Sequence, residues 1–482
     1  MIKRLVTNFS LYSFAEMLTK GLGFILLPLY TRLLVPADYG ILAIVGAIAS
    51  VLLPLVTLGT RGAIYRFFFQ FDDNNKRREF YGALWLFLLL VPLFFLASFE
   101  IIGGVLYKGT FFGIKYHPYI SLALWTSYLS LATFTFSNLI LKASERVLLS
   151  TTLTLSKFLV STFFTIIIVF FWIRNAKGVL LGRACGTALI GIVSCFFILR
   201  YVKLNFSVSH WRSALIYSAP LTIHFIARTI LDVSDRFILQ RYTTLSEVGI
   251  YNVAYQIGSV IALFAGGAYI AILPLFGQAG SKVDCSDTKH LGQVSTYYIF
   301  VVSIFTLLVI ILSPGIVAIM LAPAYSQAKE IIPWVGLGFA SLSLYFLPSA
   351  TLTHIIGQTK WIAIGTVITG ALNVFLNLYF IPLGGAKAAA ITTFVCYLIL
   401  LLFTFAIAQK KYPFPYDFAS ILKIFVCVLS IYFICSLIHI QKMWIEMSLK
   451  AFISVAFAVA CVYVIQLPYR NKKKSPKKDI TK

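Results

Sequence analysis

The sequence of 482 residues is 60% hydrophobic, and only 12% of its residues are charged. Soluble domains contain roughly 25% charged residues, so the composition excludes an ordinary soluble domain and indicates a protein that lipid partly covers. The net charge of +24 does not indicate a nucleic-acid-binding protein, because the basic residues are spread thinly between apolar segments and form no compact basic domain.

Apolar segments long enough to cross a bilayer follow one another along the whole chain. A transmembrane helix needs about 20 mostly apolar residues. Twelve segments contain no Asp, Glu, Lys or Arg, whereas the first and the seventh carry internal charges. In chain order, the predicted helices lie at 9–30, 39–60, 80–99, 116–141, 158–173, 184–199, 214–235, 248–281, 290–328, 331–359, 361–386, 388–409, 424–441 and 451–469. We therefore predict an all-α integral membrane protein with about fourteen transmembrane helices.

The distribution of basic residues predicts the orientation in the membrane. With the amino terminus in the cytoplasm, the segments on that side hold 23 of the 40 Lys and Arg residues, and the opposite side holds 10. Cytoplasmic loops of membrane proteins carry such an excess, so both termini are predicted to be cytoplasmic. The basic tail at 468–482 is expected to lie near anionic lipid.

The connections between helices and the cysteines argue against an enzyme with a cofactor. The longest polar connections are too short to hold a catalytic domain, so we predict no enzyme activity. The seven cysteines contain no CxxC pair, and most lie inside apolar segments, which predicts reduced thiols and neither disulfides nor a metal site. No GK[ST] sequence follows a glycine-rich stretch, so no nucleotide or other cofactor is predicted.

An internal repeat relates the two halves of the chain. The segment YTRLLVPADYGILAIVGAI begins at Tyr30, and LQRYTTLSEVGIYNVAYQI begins at Leu239. A shift of 209 residues pairs Asp38 with Glu247 and Gly40 with Gly249. Both copies precede a helix that starts on the same side, so the halves would be parallel repeats, as in many transporters.

These two segments belong to a longer resemblance. Together with LGTRGAIYRFF, SAPLTIHFIARTILDVSDRFIL and LNLYFIPLGGAKAAAITTF, they resemble polysaccharide flippases of the multidrug/oligosaccharidyl-lipid/polysaccharide exporter superfamily. The resemblance implies two six-helix lobes around a central cavity and two further helices. We place the lobes at 1–205 and 206–409, the further helices at 410–467 and the tail at 468–482.

The resemblance also implies a function. Such a protein moves an undecaprenyl-diphosphate-linked oligosaccharide from the inner to the outer leaflet of the bacterial cytoplasmic membrane by alternating access. The expected partners are this lipid-linked substrate, membrane lipids, a polysaccharide polymerase and a chain-length regulator, without nucleic acid. The exported glycan stays open between O-antigen of lipopolysaccharide, capsule and other polymers.

Basic residues inside the predicted helices are the main candidates for substrate binding. An ionisable side chain at the bilayer centre costs roughly 2.5–3.5 kcal/mol, so it is expected to face a cavity or a partner. Lys20, Lys157 and Arg228 could replace the hydration of a diphosphate. Lys157 shares a helix face with Thr154, Ser161 and Thr165. Arg61, near a helix end, is a further candidate that could instead anchor at the interface.

Acidic residues and a histidine near these cations are candidates for ion coupling or for charge pairing. Glu16 could bind a coupling ion or simply neutralise Lys20, four residues on. Asp232 and Asp235 could likewise bind a proton or a cation, or could pair with Arg228 and Arg236. His224 could relay a proton or only form hydrogen bonds.

Amide and tyrosine side chains on two helices are candidates for contact with sugars. Tyr251 and Tyr255 form one stripe, and Asn373 and Asn377 lie on one face of a later helix. The alternative is that the polar groups among them hydrogen-bond neighbouring helices.

Two other classes of membrane protein are alternatives to a flippase. A cation-coupled multidrug exporter of the same fold would favour deep acidic residues, whereas the deep charges here lean basic. A membrane-embedded oligosaccharide polymerase would be expected to have large extramembrane loops, and this chain has short ones. The sequence therefore favours the flippase over both alternatives.

Overall fold

The computed structural model describes residues 17–19, 21–68, 70–71, 73–106, 110–281, 286–438 and 440–474. These residues are overwhelmingly helical, as the apolar segments predict. A two-stranded antiparallel hairpin interrupts the helices, with β1 at Thr110–Phe111 and β2 at Ile114–Lys115.

The helices of the amino-terminal half overlap the predicted segments but have different bounds, and the predicted segment 9–30 lies partly outside the described residues. They are α1 Leu27–Leu33, α2 Pro36–Thr57, α3 Arg61–Phe68, α4 Asn74–Leu106, α5 Ser121–Ser130, α6 Phe136–Ala143, α7 Val147–Phe171 and α8 Ala176–Tyr201. Two π-helical turns, Tyr116–Ile120 and Leu131–Thr135, flank α5.

The carboxy-terminal half contains longer helices. They are α9 Val208–Tyr242, α10 Leu245–Ser281, α11 Ser286–Met320, α12 Ala328–Leu344, α13 Phe346–Ala350, α14 Lys360–Lys411, α15 Phe418–Leu437 and α16 Met443–Lys474. A 3₁₀ turn at Pro323–Tyr325 precedes α12, and a π-helical turn at Thr351–Ile355 follows α13.

Nine helices in the described part of the chain are long and apolar enough to span a membrane. One of them, α14, covers two predicted segments, because the chain stays helical on both sides of a break at Gly385. The other predicted segments fall in the stretch around α1, in the stretch 116–143 that π-helical turns divide, in the charged helix α9 and in α16.

The described residues form two compact units. The first contains the described residues up to Val253 together with Thr366–Ala389, and the second contains Ala254–Gly365 together with the described residues from Ala390 onward. These units follow spatial proximity and do not test the predicted boundaries at 205, 409 and 467, which remain predictions.

Each unit has its own apolar core. In the first unit, Phe80, Tyr81 and Phe136 are buried in one cluster. In the second unit, helices α15 and α16 pack on α11, where Ile431 and Cys435 meet Leu307. Many large apolar side chains are exposed on the helices, as expected where lipid is the solvent.

A glycine stripe joins α7 and α8 in the first unit. A Cβ atom on Gly182 would lie 2.3 Å from the Cα of Thr165, and one on Gly186 would lie 2.4 Å from the Cα of Ser161. Small residues allow such close approach of membrane helices. Ser161 and Thr165 therefore lie in a helix–helix contact, although they share the predicted face of Lys157.

Candidate functional site

Lys157 is a half-buried cation near the middle of α7. Its Nζ donates a hydrogen bond of 2.5 Å to the Oγ of Ser130 and lies 4.1 Å from the ring centre of Phe134. A hydroxyl and an aromatic face both stabilise an ammonium. These two contacts help to hold a cation within a membrane-spanning helix.

The π-helical turn Leu131–Thr135 lies beside Lys157. Such turns are rare, and they occur often at functional sites because they alter which way the side chains point. Phe134 belongs to this turn, and Ser130 is the residue before it. The turn and the residue before it thus each supply one contact of the lysine.

Arg228 and Asp232 form an ion pair one turn apart on α9. The Nε of Arg228 lies 3.1 Å from Oδ2 of Asp232, and the two side chains are 40% and 37% exposed. The guanidinium of Arg228 is therefore partly accessible beside its carboxylate partner.

A buried charged cluster lies one turn further along α9. The Nη1 of Arg236 lies 3.0 Å from Oδ1 of Asp235, and these side chains are only 9% and 3% exposed. The hydroxyl of Tyr251 donates to the other oxygen of Asp235. Both carboxylate oxygens thus have partners, as the desolvation of a buried charge requires.

Two buried amides of α14 extend this cluster. Asn377 Nδ2 donates to Asn373 Oδ1 over 3.0 Å, and Ser234 Oγ donates to the same oxygen over 3.2 Å. The Nδ2 of Asn373 is buried and has no hydrogen-bond partner among the described residues. Tyr255 lies elsewhere, in the second unit, with its ring 4.9 Å from that of Phe339.

The tyrosine and amide candidates thus divide by burial. Tyr251, Asn373 and Asn377 are fully buried here, so contact with a sugar would require this cluster to open. Tyr255 is only partly buried. Their assignment to sugar binding remains a prediction.

For four other residues predicted from the sequence, the structure describes either the backbone alone or nothing. Lys20 and Glu16 lie outside the described residues. The backbone of Arg61 begins α3 and that of His224 lies within α9, but both side chains lie outside the described part of the structure.

The two copies of the repeat contact each other through their glycines, within the first unit. A Cβ atom on Gly40 would lie 1.9 Å from the carbonyl oxygen of Leu245, and one on Gly249 would lie 1.9 Å from that of Pro36. The shift of 209 residues pairs Pro36 with Leu245, so the contact is reciprocal. Glycine is needed at both positions because backbone atoms cannot move aside as side chains can.

The paired acids of the repeat bind matching helix starts. Asp38 Oδ1 accepts a 2.8 Å hydrogen bond from the amide of Ala176, and Glu247 Oε1 accepts one of 2.7 Å from the amide of Ala386. Each acceptor satisfies an amide that has no partner within its own helix. Gly385, with a φ of 54°, creates the helix start at Ala386.

Arg183 on α8 is a further candidate for binding an anionic head group. Its side chain is exposed, and it interacts electrostatically with the hydroxyls of Tyr30 and Tyr39. No sequence pattern signalled this grouping, because it joins three helices. The group brings one cation and two phenol hydroxyls together.

Two models of known protein families match this chain. A family model described as "Polysaccharide biosynthesis protein" matches residues 5–279, and the MatE model matches residues 220–379. A search among curated proteins gave no match.

Three solved structures illustrate the fold. A structure of "Lipid II flippase MurJ, inward closed conformation" is 15% identical, with a TM-score of 0.77, and the match covers 96% of this chain and 100% of that chain. An inward-facing multidrug resistance MATE family transporter of the MOP superfamily is 14% identical, with a TM-score of 0.60 and coverage of 85% and 97%. Vibrio cholerae MATE transporter VcmN in its bent form is 12% identical, with a TM-score of 0.54 and coverage of 85% and 98%. The predicted all-α membrane transporter fold is confirmed.

Proposed function

Because the chain belongs to the polysaccharide biosynthesis protein family and has the fold of the MurJ flippase, we propose that it flips undecaprenyl-diphosphate-linked oligosaccharide repeat units across the bacterial cytoplasmic membrane. The observation that carries this proposal is the half-buried Lys157 inside a membrane-spanning helix. The transported unit moves from the inner to the outer leaflet and serves surface polysaccharide synthesis. The protein acts as a transporter, without enzyme chemistry or a cofactor.

The diphosphate explains why cations are needed within the membrane. Its negative charges must leave water, and charge-assisted hydrogen bonds from Lys or Arg replace part of the lost hydration. Lys157 is proposed to bind the diphosphate with Lys20 and Arg228. Arg228 reaches it by exchanging Asp232 for phosphate, which its exposed position supports. Arg61 and Arg183 are proposed to guide the head group at the helix ends.

Alternating access gives the reciprocal glycine contact a role. By the predicted topology, Gly40 and Gly249 lie at the outer ends of α2 and α10. Release to the outer leaflet then requires that Gly40 separate from Leu245 and Gly249 from Pro36. Backbone packing without large side chains suits a contact that must break and re-form in each cycle.

Coupling to an ion, where it occurs, is assigned to the acidic residues near the cations. Asp232 is 37% exposed, whereas Asp235 is buried and bound by Arg236 and Tyr251. Glu16 and His224 are proposed to serve the same relay. The sugar contacts are assigned to Tyr255 and, once their cluster opens, to Tyr251, Asn373 and Asn377.

The deciding experiment is deletion of the gene followed by analysis of the lipid fraction. The proposal expects complete lipid-linked repeat units to accumulate on the cytoplasmic leaflet and surface glycan to disappear. Complementation with the wild-type gene should restore the glycan, and complementation with Lys157→Ala should not. Repeat units that reach the outer leaflet but remain unpolymerised would instead identify a polymerase.

A multidrug exporter is the second candidate, and the match of the MatE model to residues 220–379 supports it. That function predicts unchanged surface glycan in the deletion strain, together with increased sensitivity to cationic dyes. The two measurements on one strain therefore separate the candidates.

The proposed cellular setting follows the family. Both termini are placed in the cytoplasm, and the substrate passes to a polysaccharide polymerase and its chain-length regulator. Pull-down of either protein with the tagged transporter would test this placement.

A further inference from the structure

The β-hairpin of the first unit lies between two helices and reaches a third. It follows α4 and leads, through the π-helical turn Tyr116–Ile120, into α5. Its tip consists of Phe112 and Gly113, whose φ angles of 50° and 71° are those of a tight turn between two strands. Asn, Asp and Gly usually occupy such positions, so the phenylalanine has a reason beyond the turn itself. By the predicted topology, the tip lies on the outer side of the membrane.

The base of the hairpin is fixed to α4 and α5. Ile114 in β2 is buried, with 2% of its surface exposed. On α4, Glu100 accepts hydrogen bonds from Ser121 Oγ over 2.5 Å and from Trp125 Nε1 over 2.7 Å. Just after β2, His117 Nε2 lies 3.4 Å from the other carboxylate oxygen of Glu100. The base therefore has several contacts with its own neighbouring helices.

The tip contacts the end of α9. The ring centre of Phe112 lies 5.0 Å from that of Phe237. A Cβ atom on Gly113 would lie 3.1 Å from Nε2 of Gln240, so the backbone of the tip also packs closely on this helix. Phe112 is still 44% exposed. An aromatic pair of this kind changes a conformational population by about two- to twelvefold, which is enough to favour one conformation and little enough to break.

The reciprocal glycine contact lies at the same end of the first unit. Phe237 is eight residues before Leu245, whose carbonyl packs against Gly40. The hairpin belongs to the predicted lobe 1–205, whereas α9 and Leu245 belong to the predicted lobe 206–409. Two contacts between the predicted lobes thus lie together, on the predicted outer side.

We propose that the hairpin is a latch that holds the outer side of the transporter closed while Phe112 packs on Phe237. Release of the substrate to the outer leaflet then requires the tip to leave α9, while the base stays on α4 and α5. The latch rests on the proposed flippase function and adds a second outer contact to the glycine contact. It gates release and takes no part in binding the diphosphate.

The first test fixes the latch in its closed position. Phe112→Cys and Phe237→Cys are combined in a background without the native cysteines. A short bifunctional methanethiosulfonate bridges the two thiols, and a reductant removes the bridge. Flipping is measured in proteoliposomes with a polyprenyl-diphosphate oligosaccharide. We expect the bridge to lower flipping at least about tenfold and the reductant to restore it, because a closed lid prevents release.

The matched control bridges the hairpin to itself. Thr110 and Lys115 face each other across the two strands, so Thr110→Cys with Lys115→Cys accepts the same bridge without reaching α9. Flipping by this variant should stay within about twofold of its unbridged form. Phe112→Cys and Phe237→Cys, each alone with the reagent, show whether modification without a bridge has any effect.

The second test needs no transport. The variant Leu245→Cys reports opening of the same end through the rate at which a maleimide reacts with its thiol. Adding Phe237→Ala removes the aromatic contact and should increase this rate at least about threefold. Adding Ile230→Ala removes an exposed apolar side chain elsewhere on α9 and should leave the rate unchanged. This increase in a protein that flips no lipid-linked oligosaccharide would support the latch and defeat only the proposed function.

Three outcomes would overturn the latch. One is a bridge that forms between positions 110 and 115 but not between positions 112 and 237 under the same conditions. Another is flipping that the bridge between 112 and 237 leaves unchanged, or that both bridges lower equally. The last is a maleimide rate at Leu245→Cys that Phe237→Ala does not alter.

Discussion

Lys157 concentrates the proposed chemistry in one side chain. Its ammonium donates a hydrogen bond to Ser130 and lies over the ring of Phe134. Replacing it with alanine removes a charge-assisted hydrogen bond to the diphosphate, worth about 1.5–3 kcal/mol. We therefore expect Lys157→Ala to lower flipping in proteoliposomes by at least about tenfold, since each 1.4 kcal/mol is a factor of ten.

Ser130→Ala is the matched control, because it keeps the charge and removes only one partner of the ammonium. It should lower flipping by less than about fivefold. Membrane insertion should be unchanged in both variants. Full surface glycan in cells that carry Lys157→Ala would disprove the role of this cation.

The acids of the repeat allow a stability prediction. Asp38→Ala and Glu247→Ala each remove an acceptor from a helix start, which costs about 1 kcal/mol. We expect similar losses in the free energy of unfolding for the two variants, measured by denaturant titration in detergent. Asp38→Asn and Glu247→Gln keep an acceptor oxygen and should lose less than half as much. A large loss at one position and none at the other would contradict the equivalence of the two contacts.

At the scale of residues, the sequence allows a prediction where the reason for a residue is local. A lysine at membrane depth and an acid repeated after 209 residues are visible in the sequence alone. The partners are not visible, since Ser130 is 27 residues from Lys157 and Ala176 is 138 residues from Asp38. Ser161 shows the limit, because helical periodicity places it on the lysine's face and cannot foresee Gly186 on the next helix.

At the scale of whole helices, the glycine contact between α2 and α10 offers a matched test. Gly40→Ala and Gly249→Ala would each place a methyl group against a backbone carbonyl, whereas Gly46 on α2 and Gly266 on α10 have open space at the same position. We expect the first two variants to force the helix ends apart and to abolish flipping. Gly46→Ala and Gly266→Ala should retain it.

The separation itself can be measured with a single cysteine at position 245. The variant Leu245→Cys is made in a background without the native cysteines. Its thiol should react slowly with a maleimide while Gly40 packs against the backbone of position 245. Adding Gly40→Ala should increase this rate at least about fivefold, and adding Gly46→Ala should leave it unchanged. Equal rates in both combinations would show that the contact tolerates a methyl group and is no barrier to opening.

Helix existence was predictable from hydropathy, whereas helix ends and interruptions were not. The segment predicted at 158–173 is part of α7, which begins at Val147, because polar residues of the preceding stretch also favour a helix when they pack internally. Asn138 illustrates this, since it accepts a hydrogen bond from Ser150 and donates one to Thr154. The π-helical turn at Leu131–Thr135 had no signal in the sequence, as a single added residue per turn does not alter mean hydropathy.

At the scale of the molecule, the repeat concerns how helices pack, whereas the charge distribution concerns how the protein is oriented in the membrane. The repeat brings matching contacts together within the first unit. The contacts of the repeat do not indicate which ends of the helices face the cytoplasm. Only the excess of basic residues in alternate loops predicts the orientation of the protein in the membrane.

The orientation in the membrane can be tested by labelling two exposed positions, one at a time, in a cysteine-free background. Arg174→Cys lies between α7 and α8, on the predicted outer side, and Ser209→Cys lies at the start of α9, on the predicted inner side. A membrane-impermeant maleimide should label Arg174→Cys in intact cells and label Ser209→Cys only after permeabilisation. The opposite pattern would place the contacts of Gly40 and Asp38 at the cytoplasmic face. The reciprocal contact would then close the entrance for the substrate, and the proposed release step would have to use the other ends of the helices.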